Sequence, residues 1–153
     1  MSTQEELYAG LKGDIAALVE PLFDFSENCL RERGNFLPHA AVLTAEGVVE
    51  LTAAAPDSPD GLTNSVEVLP LLHGGLRAMA KEKALVAIAV AENVTVTPDG
   101  EPSTAAIKVL FEHQRGLTVA MYLPFSKRFL RGYVFGQAFT IAALPEVNAW
   151  GTN

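Results

Sequence analysis

One cysteine, three histidines and a charged fraction of only 19% in 153 residues each remove a class of function. Cys29 has no second cysteine to pair with, so the disulfide framework of small secreted domains is excluded. His39, His73 and His113 lie far apart and belong to no HxH, HExxH or Cys/His cluster, which leaves a metal site without a local signal. Neither Ser26 nor Ser126 sits in a GxSxG elbow, and Cys29 has no histidine signature beside it, so a hydrolase nucleophile is missing. Phosphate loops are missing as well. Gly74-Gly75 falls inside a helical pattern without a following Lys-Ser or Lys-Thr, and no GxGxxG opens a helix after a strand. No cofactor is expected. No apolar run reaches the ~20 residues that cross a bilayer; the continuously apolar stretch Ala84 to Ala91 is the length of a buried strand.

Positive charge is also scarce, with 11 Lys and Arg against 18 Asp and Glu and a formal net charge of −7. Binding to a phosphate backbone draws on clustered cations, so no nucleic-acid partner is expected, and without a spanning apolar run no membrane partner is expected either. The local exception is Lys127, Arg128 and Arg131, set among Phe125, Phe129 and Tyr133, a combination suited to an anionic group or an acidic partner. The start Met-Ser-Thr-Gln-Glu-Glu lacks the basic opening and apolar run of a secretory signal, so a cytoplasmic location is expected. Asn93-Val94-Thr95 matches a glycosylation acceptor but falls in the middle of a strand pattern.

What the chain does have is periodicity. From Ala84 to Val96 the bulky Val86, Ile88, Val90, Val94 and Val96 alternate with Ala87, Ala89, Ala91, Asn93 and Thr95, the period of two that sends alternate side chains to opposite faces of a sheet. Thr97-Pro98-Asp99-Gly100-Glu101-Pro102 predicts a reversal. A second strand follows through Ala105, Ile107, Val109 and Phe111, then a turn at Gln114-Arg115-Gly116, then a third strand through Leu117, Val119, Met121 and Leu123. Such a sequence reads as an antiparallel meander. Upstream, Ala40 to Leu43 and Val48 to Ala53 flank Thr44-Ala45-Glu46-Gly47 as a hairpin.

Two helices complete the pattern. Thr3 and Glu6 form a capping box ahead of Leu7, Leu11, Ile15, Leu18 and Leu22, and Pro21 is expected to kink or end that helix, with a second piece running to Arg33 before Gly34. Another helix is predicted from Asn64 to Lys83, with Asn64 and Glu67 as a cap pair and Leu69, Leu72, Leu76 and Met79 as its stripe. Gly74-Gly75 in that helix is expected to pack closely on the small surface Ala87-Ala89-Ala91. The loop Ala54 to Leu62 connects hairpin to helix, Gly132 to Thr140 is expected to add a last short strand, and Leu144 to Asn153 reads as a terminal extension. The expected fold is α+β, one domain over residues 1–153. It has two layers, a mainly antiparallel sheet (hairpin plus three-strand meander) covered by two main helices, in the order α-β-β-α-β-β-β.

The run Phe36-Leu37-Pro38-His39-Ala40-Ala41-Val42-Leu43 leading to Glu46-Gly47, with Val109-Leu110-Phe111-Glu112-His113 before Gly116 and Tyr122-Leu123-Pro124-Phe125, resembles a group of small uncharacterised bacterial proteins of about this length. The resemblance spans most of the chain. It implies the α+β fold and a bacterial origin, and carries no activity or catalytic residue.

Two function classes follow. The low charge leaves few polar residues to coat a lone domain against the ~25% charge of an average chain, which favours a noncatalytic binding or self-assembly module. Such a module would be a homodimer or hold another protein. The surface around Ala87-Ala89-Ala91 or the aromatic tail Tyr133 to Phe139 would supply the self-complementary patch. The other class is a small-molecule-binding protein or small enzyme with its site assembled near one end of the meander from Glu112, His113, Lys127 and Arg128, with Arg131 as a further ligand-binding candidate.

Overall fold

The computed structural model describes residues 3–53 and 65–151. Thr3 caps the first helix, α1 (Gln4–Gly10), by accepting the Glu6 N–H on its hydroxyl at 3.1 Å, as the capping box predicts. The long helix α2 (Lys12–Arg33) follows after a break at Leu11. Pro21 does not end it: the helix runs through the proline, flanked by the fully buried Leu18 and Leu22. Packing on both sides of Pro21 outweighs the one missing backbone hydrogen bond. Gly34 then terminates α2 in the left-handed region (φ 78°), its N–H bonded to the Leu30 carbonyl at 2.9 Å.

The strands are β1 (His39–Thr44), β2 (Val49–Thr52), β3 (Leu85–Val96), β4 (Thr104–His113), β5 (Thr118–Arg128), β6 (Gly132–Phe135) and β7 (Phe139–Ala142), with α3 (Ser65–Glu82) between β2 and β3. All pair antiparallel in one sheet of order β2-β1-β3-β4-β5-β6, and β7 pairs with β5 beside β6. The hairpin and meander stand as predicted, while the tail adds two short strands in place of one. The predicted loop Ala54 to Leu62 and the cap at Asn64 lie outside the described residues.

The layering differs from the expected two. Ala41, Ala87, Ala89, Ala91, Ile107, Val109 and Phe111 form one core with Leu11, Ile15, Leu18 and Leu22 of the N-terminal helices. Ala40, Val42, Ile88 and Val90, of the opposite parity, form a second core with Leu72 and Leu76 of α3 and with Val147. Helices thus cover both faces of the sheet, because β1 from Ala40 to Leu43 and β3 from Leu85 to Ala91 carry apolar residues at consecutive positions. Gly74 and Gly75 do not meet the alanine surface: it lies under α2, and a Cβ at either glycine would have no heavy atom within 4 Å. The segment after β7 is no free extension either, since Val147 is fully buried.

Candidate functional site

The expected site at one end of the meander is split by the register of the strands. Glu112 and His113 end β4 opposite Thr118, at the start of β5, whereas Lys127 and Arg128 end β5, beyond the pairing of Phe125 with Ala105. At about 3.3 Å per residue the two pairs are separated by roughly 30 Å. Antiparallel neighbours put the end of one strand at the beginning of the next, so these four residues do not share one end.

His113 faces α2, where its Nε2 lies 3.0 Å from Asp14 Oδ2 and its Nδ1 accepts the Arg115 backbone N–H at 3.1 Å. The backbone donor fixes the proton on Nε2, which donates to Asp14. Both ring nitrogens are occupied in tying the β4–β5 turn to α2. Glu112 points to the other face, where its carboxylate accepts the N–H groups of Glu146, Val147 and Asn148. Lys108 adds to the same strap, 2.8 Å from Glu146 and 3.6 Å from Glu92. Burial disfavours its charge, but the Glu146 hydrogen bond and the two carboxylates outweigh that and hold Lys108 above the ordinary lysine range.

His39 is buried between the edges of Phe25 and Phe36, with ring centroids at 4.7 and 5.6 Å. Its Nδ1 donates to the Leu37 carbonyl at 2.9 Å, so Nε2 accepts the Ser26 hydroxyl at 3.2 Å. Burial pushes His39 below the usual histidine value against the pull of its backbone partners. Serine and histidine thus meet, yet Ser26 is fully buried, so no substrate reaches its oxygen. Burial also lowers His73, opposed by the charges of Glu146, Glu92 and Glu112. Among the described residues, no three His, Cys, Asp or Glu side chains converge to hold a metal, and no helix is long and apolar enough to cross a membrane.

Lys127 and Arg131 do converge with other groups. They line a cleft of about 470 Å³ together with Arg31, Arg33, Glu32 and Tyr133. Arg31 lies 5.0 Å from the Phe135 ring centroid and 3.7 Å from Glu27, and Lys127 lies 5.9 Å from the Tyr133 centroid. Arg128 turns aside to donate to Ser126 at 3.2 Å. Arg31 and Arg33 read in sequence only as favourable charges at a helix C-terminus; nothing local links them to residues almost a hundred positions on. Between Arg128 and Gly132 the hairpin tip carries Phe129 and Leu130, each 91% exposed, with Leu130 in the left-handed region at φ 66°.

A second surface lies on the α3 side of the sheet. Val96, Tyr122, Phe139 and Ile141 line an apolar groove of about 580 Å³ beside the Thr97-Pro98-Asp99 turn, and no helix residue contributes to it. Tyr122 and Phe139 stack at 5.2 Å. Strand β7 is exposed along its whole length, and no described strand pairs with its outer edge. Of the two expected patches, Ala87-Ala89-Ala91 is fully buried and offers nothing to a partner, and of the aromatic tail only Phe139 reaches this groove, while Tyr133 and Phe135 pack against the α2 core.

No family model, no curated protein and no solved structure matches this chain.

Proposed function

We propose that this protein is a noncatalytic binding module that assembles with a second copy of itself through the β7 groove. The carrying observation is that Phe139 and Ile141 stand exposed on a sheet face that α3 leaves uncovered. Apolar side chains clustered beside an unpaired strand edge are the surface that association buries. A twofold axis through the strip would set Ile141 and Phe139 of one copy against Tyr122 and Val96 of the other, the self-complementary arrangement of closed dimers. The low charged fraction supports the same reading. His113 has both ring nitrogens engaged and Ser26 is out of reach, so neither supplies the base or nucleophile that a small enzyme would need. Sedimentation velocity of the wild type and of Ile141→Asp tests the proposal: a dimer that the substitution converts to monomer supports it, and a monomeric wild type refutes it.

A further inference from the structure

We propose that the β5–β6 hairpin tip seats this protein on an anionic lipid surface. Phe129 and Leu130 are the most exposed large apolar residues among those described. They are adjacent, and they occupy the very tip of the hairpin. Leu130 adopts a left-handed backbone that is strained for an L-residue and that glycine would adopt freely. Strain of this kind persists where surrounding structure holds it, and it concentrates at functional loops. The result here is two apolar side chains presented together to the outside.

Directly behind the tip lie Lys127, Arg128 and Arg131, and across the cleft lie Arg31 and Arg33. Five of the 11 lysines and arginines of a chain with net charge −7 are gathered in these two short segments. Among the described residues, Arg33, Lys127 and Arg131 make no ion pair with a carboxylate; Glu27 pairs with Arg31, and Glu32 is the one acid lining the cleft. An apolar wedge backed by cations suits a bilayer of anionic lipids: the wedge enters the acyl boundary while the cations meet the headgroup phosphates. The cleft of about 470 Å³ admits such a headgroup between α2 and β6. A nucleic acid would engage the cations and leave Leu130 without a role, and a soluble anion would need no wedge. The acidic remainder of the chain is repelled by the same surface, which orients the molecule tip-first. The lack of a bilayer-spanning run, from which no membrane partner is expected, does not bear on a tip that only rests at the surface.

Cosedimentation with phosphatidylcholine vesicles containing about one third phosphatidylserine, against vesicles of phosphatidylcholine alone, tests this. The wild type is expected to pellet with the anionic vesicles only, and to be released by high salt. The double variant Phe129→Ser, Leu130→Ser, altered only at solvent-facing positions, is expected to lose roughly tenfold or more in partitioning. Arg131→Gln and Arg33→Gln are each expected to lose roughly fivefold. A wild type that stays in the supernatant overturns the proposal. So does pelleting that is unchanged in the double variant, binding to an oligonucleotide but not to vesicles, or a double variant whose only change is loss of self-association.

Discussion

The carboxylate of Glu112 accepts the backbone N–H of Asn148 at 2.8 Å, and with its other oxygen it takes those of Val147 at 2.9 Å and Glu146 at 3.1 Å. One buried side chain thereby satisfies three consecutive donors of a segment that has no secondary structure of its own. Arg77 completes the strap by donating to the Val147 carbonyl at 3.1 Å. Val147 is thus held in the second core, beside α3.

Glu112→Ala is therefore expected to destabilise the protein by about 2–3 kcal/mol, since it removes charge-assisted bonds and leaves the buried Val147 N–H unpaired. Urea denaturation gives the magnitude. Hydrogen exchange should show the loss concentrated at residues 146–148; a loss spread evenly over the sheet would argue against the strap.

Burial keeps His39 neutral and below its usual value. The unfolded chain takes up a proton near pH 6.5, so below that pH it binds more protons than the folded state does. Stability from this group is complete above pH 6.5 and falls as pH descends toward the lowered folded value. His73, shifted the same way, adds to the slope. Denaturation midpoints from pH 7.5 to about 5 should decline in the wild type and decline less in His39→Gln.

Gly34→Ala places a Cβ 3.4 Å from the Tyr133 hydroxyl on a backbone with φ 78°. The expected cost is about 1 kcal/mol, from the left-handed backbone. An unchanged melting temperature would show that α2 can end one residue earlier without loss.

Pro21→Ala should raise stability, because the N–H it restores can bond to the Ala17 carbonyl within a helix already formed around it. Leu22→Ala, next to it and fully buried, should lower stability by about 2–5 kcal/mol. Opposite signs at adjacent positions, read by thermal melts, would show that core packing rather than local propensity maintains α2.

Much of the fold is legible in sequence because bulky residues recur with a period of two along β3, β4 and β5 between marked turns, and because Thr3 and Gly34 mark helix ends by local chemistry. The layering is not, since alanines and branched residues are both apolar and the strand pattern does not say which face takes which helix. Strand β7 is read only in part, because its four residues are too short a run to separate from β6, and the expected single strand Gly132 to Thr140 merges the two. The cleft joins Arg31 and Arg33 to Lys127 and Arg131 through tertiary contact alone. Of the site candidates, Lys127 and Arg131 come together there, Arg128 points away, and His113 sits at the opposite end of the sheet.

Sedimentation velocity over a range of concentrations, on the wild type and Ile141→Asp side by side, addresses self-assembly through β7 most directly. The prediction is a wild-type dimer and a folded, monomeric variant. A wild type that remains monomeric throughout, or a variant that dimerises as well as the wild type, would contradict it.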